Sequence, residues 1–193
     1  MTTAPKQPAT ILTRPSKPPM PALQGDHWIE ALEDGTRVLI RPLRPEDRES
    51  EAEFIKRLSP ESRRFRFFCD FKEPSPSLLD QLMKVDDTHE MAFVALMHDD
   101  GHLREVGVSR YAASGDGRQC ECAVTVADDW QRRGLGALLM RHLIEVARKN
   151  GLTRMYAIEE PANETMRELA ERLGFRCEAE PDDARLVRYT LDL

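Results

Sequence analysis

Between Cys120 and Asn150 the apolar pattern changes its period once, from two to about 3.6 residues, with a glycine-bearing turn at the change. In the first part Glu121, Ala123 and Thr125 fall on one face and Cys120, Cys122, Val124 and Val126 on the other. That is a strand buried on both sides with a single carboxylate in it. From Leu135 onward, Leu135, Leu138, Leu139, His142, Leu143 and Val146 recur at helical spacing, while Arg141, Glu145, Arg148 and Lys149 point away. Asn150-Gly151 then ends the helix.

Strand and helix are joined by Gln131-Arg132-Arg133-Gly134-Leu135-Gly136, where two glycines let a ligand approach the first-turn amides. Those unpaired N–H groups and the positive end of the helix dipole form an anion site, and Arg132 and Arg133 add charge beside it. Two glycines alone read better as an ordinary strand-to-helix turn. The placement of Q-x-x-G-x-G between these two elements strengthens the ligand reading. A dinucleotide fingerprint requires a third glycine where Leu139 stands, and a Walker loop requires Gly-Lys-Ser/Thr; the chain has neither. Glu121, the one acid in an apolar strand beside this turn, is a candidate general base whose partial burial would raise its pKa. The alternative is a strand-edge carboxylate meeting solvent or an arginine.

Together with Asn163 and Leu173-Gly174-Phe175, the QRRGLG turn resembles the GNAT superfamily of acetyl-CoA-dependent N-acetyltransferases, over roughly residues 36–193. Within it the chain is most similar to the acetyltransferase domain of bacterial protein-lysine acetyltransferases. The closer likeness is carried by Val38 to Asp47, Leu58 to Ser62, Arg66-Phe67-Phe68 and Glu121 to Val124. The resemblance implies an α/β (α+β) fold, with a mixed, mostly antiparallel central sheet flanked by helices on both faces. It implies acetyl-CoA as cosubstrate and a primary amine as acceptor, a protein lysine foremost. It assigns Glu121 as general base, often through water, and the backbone at Val124, Thr125 and Val126 to the oxyanion and the pantetheine arm. Gln131, Arg132, Arg133, Gly134, Leu135, Gly136 and Ala137 are then the cofactor turn, and Asn163 both an N-cap and a cofactor contact. Many members carry a tyrosine four residues before the Gly-Phe pair as general acid; here that residue is Ala170. Tyr111 and Tyr156 are other possible acids.

The 193 residues suffice for one domain, read as a disordered Pro-rich basic tail over 1–25 and a single acetyltransferase domain over 26–193. The balance of charge, 28 − 34 = −6, argues against a nucleic-acid surface and suits a cationic acceptor. No apolar run reaches membrane-spanning length and no leader pattern opens the chain, so a cytoplasmic protein is expected. Cys69, Cys120, Cys122 and Cys177 lack zinc-knuckle spacing and are expected reduced; the five histidines form no ligand pattern, so no metal is expected. His142, on an apolar helix face, reads as a core histidine.

Elsewhere the sequence predicts a strand from Thr36 to Pro42 and a helix opened by Pro45 with Phe54, Ile55 and Leu58 inward. A second helix is capped by Ser59-Pro60. On that helix Phe65 and Phe68 read as core, with an acceptor site lined by its arginines and aromatics as the alternative. A helix over Leu78 to Met83, a hairpin over 91–112, a strand over 154–159, a helix capped by Asn163 and two last strands complete the order. No cysteine or serine stands in a nucleophile arrangement, so direct transfer is expected over a covalent acetyl-enzyme. A small-molecule amine acetyltransferase and a non-catalytic CoA-binding regulatory module remain the other readings, and oligomeric state is open.

Overall fold

A computed structural model describes residues 27–99, 101–115 and 117–193; the expected tail over 1–25 lies outside the described residues. The chain runs β1 (Trp28–Ala31), β2 (Arg37–Pro42), α1 (Arg48–Arg57), α2 (Pro60–Phe67), α3 (Pro76–Leu82), β3 (Glu90–Asp99), β4 (His102–Ala113), β5 (Gln119–Val126), α4 (Leu135–Lys149), β6 (Arg154–Glu159), α5 (Glu164–Leu173), β7 (Arg176–Ala179) and β8 (Val187–Asp192). The strands form one sheet in the order β1-β2-β3-β4-β5-β6-β8-β7. Every neighbouring pair is antiparallel except β5 and β6. Among the described residues no helix is long and apolar enough to cross a membrane.

Helices cover both faces. On one, Ser109 Oγ donates to the Leu139 carbonyl at 3.3 Å. There Gly107 lets α4 lie close, since a Cβ at that point would come within 3.0 Å of Leu139. On the other, the Arg110 guanidinium donates to the Leu82 carbonyl at the end of α3 and lies 3.8 Å from Glu51 of α1. Phe54, Ile55 and Leu58 are buried against the sheet as their spacing predicts. Ser59 accepts from the Ser62 N–H as N-cap of α2. His142 is buried, with Nε2 3.1 Å from Glu30 and its ring against Trp28, so it is a satisfied core histidine.

Phe68 departs from the expectation. Helix α2 ends at Phe67, and Phe68 follows in the left-handed region (φ 55°) with 48 % of its surface exposed. The three-residue spacing from Phe65 loses its meaning where the helix stops. Phe67 packs instead, edge-on to Phe71.

The core contains an acidic pair that no periodicity announces. Glu51 and Glu105 are 2 % and 1 % exposed. Among the described residues Glu51 Oε2, both Glu105 carboxylate oxygens and Arg110 Nε lack hydrogen-bond partners. Burial first, and then the Glu51 and Asp47 carboxylates, hold Glu105 well above the usual carboxylate range. A group with a raised folded pKa stabilises fully below its unfolded value of about 4.3, and loses that contribution as pH rises toward the folded one. Across that window stability falls by up to about 1.4 kcal/mol per pH unit. Glu105→Gln imitates the protonated form. Denaturant unfolding should therefore find the variant near wild type at about pH 4 and more stable than wild type at about pH 8, where deprotonation strains only the wild type.

Candidate active site

The site begins where β5 and β6 part. Their parallel pairing covers Gln119↔Arg154, Cys120↔Met155 and Glu121↔Tyr156 and goes no further, although β5 continues to Val126 and β6 to Glu159. Beyond Glu121 the strands enclose a wedge-shaped opening. On its other edge β5 stays paired with β4 as far as Gly107↔Val126, and Ala127 N–H donates to the Val106 carbonyl. The alternation of an antiparallel ladder then turns the main-chain groups of Val124 and Val126 toward the opening. The Val126 carbonyl accepts from the Gln131 amide at 3.2 Å, while the Val124 groups face the wedge.

A cavity of about 460 Å³ fills this wedge and reaches the turn before α4. Of the residues expected at a ligand, Val124, Thr125, Val126, Gln131, Arg132, Gly134, Gly136, Ala137 and Asn163 line it. Gly134 caps α4 with φ 86°, a conformation that costs a residue with a Cβ about 1–2 kcal/mol. The first-turn amides of α4 are thereby presented to the cavity. Two expected residues turn elsewhere. Leu135 is core, 1 % exposed, and the Arg133 side chain bonds Asp34 and stacks on Trp130 with its guanidinium 4.2 Å from the ring centroid. Only their backbones belong to the turn.

Glu121 is exposed, so the expectation of partial burial is not met. Its partner on β4 is Ala112, itself exposed, whose methyl group gives little cover. Thr125 is the opposite case. Its Oγ1 is buried at the cavity and has no partner among the described residues. A buried hydroxyl without a partner costs free energy unless a ligand completes it.

Two contributors were missed from sequence. Asp128 accepts from Ser59 N–H at 2.8 Å, Ser59 Oγ at 2.7 Å and Ser62 Oγ at 2.8 Å, clamping the start of α2 to the turn that follows β5. Partial burial would raise its carboxyl, and these hydrogen bonds outweigh that and lower it. Glu159, at the end of β6, lines the cavity and accepts from Asn163 Nδ2 at 2.9 Å. Burial pushes it up to about 7. Its only sequence signal is a strand ending in Glu159-Glu160 two residues before the Asn163 turn, which reads as a solvated strand end.

The candidate acids fare differently. Tyr111 donates to the Thr88 carbonyl and accepts from Asn150, at the C-terminal end of α4, away from the cavity. Ala170 is fully buried in the core. Cys120 and Cys122 are free, buried thiols, with burial pushing Cys120 up to about 12 and Cys122 well above its usual value.

The sequence that builds this arrangement matches a family described as "Acetyltransferase (GNAT) family" over residues 52–175. The chain belongs to the GNAT acetyltransferase family. It is 59% identical over 172 residues to an acetyltransferase of Pseudomonas aeruginosa, covering 89% of this chain and 92% of that one. It is 32% identical over 136 residues to the acetyltransferase Pat of Mycolicibacterium smegmatis, covering 70% of this chain and 40% of Pat. Among solved structures, the GNAT domain of the Streptomyces lividans PAT superposes with a TM-score of 0.79 at 26% identity, over 86% of this chain and 97% of that domain. The sheet flanked by helices on both faces is the GNAT fold, as the sequence led one to expect. The features of the cavity fit the acyl donor of GNAT acetyltransferases, acetyl-CoA: a strand edge and a free hydroxyl for an amide-bearing arm, and helix-start amides for phosphate.

Proposed function

We propose that this GNAT acetyltransferase moves the acetyl group of acetyl-CoA directly to a primary amine, foremost a lysine side chain of a protein. The observation that carries this reading is the wedge itself. Its cofactor side is the α4 turn with Val124 and Asn163, and on the opposite face of the sheet Thr125 lines it while Glu121 stands at its apex. Acetyl-CoA supplies the activated acyl group. Gln131 through Ala137 hold its phosphates with main-chain N–H groups, Asn163 and Thr125 steady the arm, and the Val124 N–H stabilises the oxyanion that develops on the acyl carbon. Glu121 takes the proton that the amine must lose. A lysine of pKa about 10.4 is almost wholly protonated at neutral pH, so the base is needed.

An exposed Glu121 suits a side chain presented by a macromolecule, and the likeness to PAT and Pat supports a protein acceptor. Direct transfer is supported by thiols that are buried and held protonated beside the wedge. Free cysteines suit a reducing compartment, and we place the protein in the cytoplasm on that ground.

The test is release of CoA thiol from acetyl-CoA, with a deacetylated protein extract as acceptor in one series and a pool of small primary amines in another. Release confined to the protein series is the expected result. Release confined to the small amines would move the enzyme to the metabolite class. Binding of acetyl-CoA without release in either series would leave a regulatory module.

A further inference from the structure

Glu159 lines the wedge and Glu121 stands at its apex, in the last pair before the strands part, and the register puts the two carboxylates on opposite faces of the sheet. Residues directly paired across strands share a face. Glu121 pairs with Ala112 and Tyr156, on the face that carries Arg110, α1 and α2. Cys120 pairs with Met155, so Met155, Ala157 and Glu159 alternate onto the other face, that of α4 and α5. Glu159 therefore enters the opening from the α4 and α5 face, and Glu121 stands beside its apex on the opposite face.

Glu159 is also held in place. Asn163 uses Oδ1 to cap the Met166 N–H at 3.1 Å and Nδ2 to bind Glu159 Oε2 at 2.9 Å. Glu159 Oε1 receives no hydrogen bond among the described residues, and the residue lines the cavity together with Val124 and Thr125.

We propose that Glu159 donates the proton to the departing thiolate, in the same turnover in which Glu121 accepts the proton of the attacking amine. This assignment rests on the acetyl-transfer reading above. The lysine ammonium first loses one proton through Glu121 to water; the nitrogen–carbon bond then forms as Glu121 removes a second proton from nitrogen, and the carbon–sulfur bond breaks as the Glu159 carboxyl proton passes to sulfur. Glu121 then returns its proton to water, and Glu159 takes one from water. Neutral amine and thioester become amide and thiol.

The surroundings of Glu159 suit a donor. Burial, the largest influence, pushes its carboxyl up to about 7, against the Asn163 hydrogen bond and the Arg66 charge and with the help of Glu160. Cys122 from β5 and Tyr189 from β8 also face it, and both are themselves raised by burial. A donor near 7 passes its proton downhill to a thiolate whose conjugate acid lies at about 8.5.

Glu159→Gln keeps an acceptor for Asn163 and removes only the proton. With the deacetylated extract as acceptor, kcat should fall on the order of 100-fold with the KM for acetyl-CoA unchanged, and the alkaline limb of the kcat profile should vanish. A second readout needs no turnover: with glutamate carboxyl carbons labelled, the resonance missing from the ligand-free variant should titrate near 7 in the ligand-free wild type. Should Glu159→Gln not fold, Glu159→Asp assigns the same resonance. A resonance titrating near the ordinary value of about 4.3, or a folded variant that keeps the wild-type rate and alkaline limb, overturns the donor assignment and leaves acetyl transfer standing. Wild-type protein that releases no CoA with either acceptor pool overturns both.

Discussion

Glu121→Gln is expected to slow acetyl transfer by about 100- to 10,000-fold while leaving the affinity for acetyl-CoA where it was. The substitution is nearly isosteric and the side chain is exposed, so it should change stability by no more than about 0.5 kcal/mol. What it removes is the acceptor for the amine proton. Without it the reaction depends on the neutral fraction of the lysine, about one in a thousand at neutral pH, and that fraction grows about tenfold per pH unit. The variant should therefore recover steadily as the medium becomes alkaline, to a greater degree than the wild type does. Calorimetric titration with acetyl-CoA and a rate profile against pH together check this. A matching loss of acetyl-CoA affinity would move Glu121 to the cofactor side and refute its role as base.

Gly136→Glu should have the second largest effect, on binding instead of turnover. Gly136 stands in the first turn of α4, where an acidic residue is favoured by the helix dipole and a glycine is the poorer helix former. A Cβ there would meet Leu169 at 3.5 Å and Val126 at 3.7 Å, ordinary contact, and its φ is not among the positive ones. The fold therefore has no reason to reject the change. Its carboxylate, however, occupies the cavity at the amides meant for phosphate. The dissociation constant for acetyl-CoA is expected to rise at least about 100-fold, or about 3 kcal/mol, with the thermal midpoint of the ligand-free protein unchanged or raised. Gly136→Ala, which adds bulk without charge, should lose far less. Unchanged binding in Gly136→Glu would remove the anion-site reading of the turn.

Much of this site could be read before any coordinates, because the signals were local. The change of period between Cys120 and Leu135 located strand, turn and helix, and Ser59 and Asn163 announced helix starts through the hydrogen bonds their side chains make. What escaped was set by partners distant in sequence. Glu105 and Glu51 look like surface acids until β4 and α1 are packed together, and Glu159 looks like a strand end until β5 diverges from β6. Glu121 was expected to be partly buried from the apolarity of its own strand, but its cover depended on Ala112. The last two strands were recognised, yet their order was not. β8 lies inside, between β6 and β7, and alternation along a strand says nothing about which neighbour it takes.

The short seam between β5 and β6 has a consequence beyond the pocket it opens. Three residue pairs join the five-strand half of the sheet to its three-strand half, and past them β5 and β6 are not paired with each other. An amide-bearing ligand lying in the gap supplies what an additional strand would. On the proposed function the acyl donor then adds to the sheet, and binding should stabilise the join between its two halves.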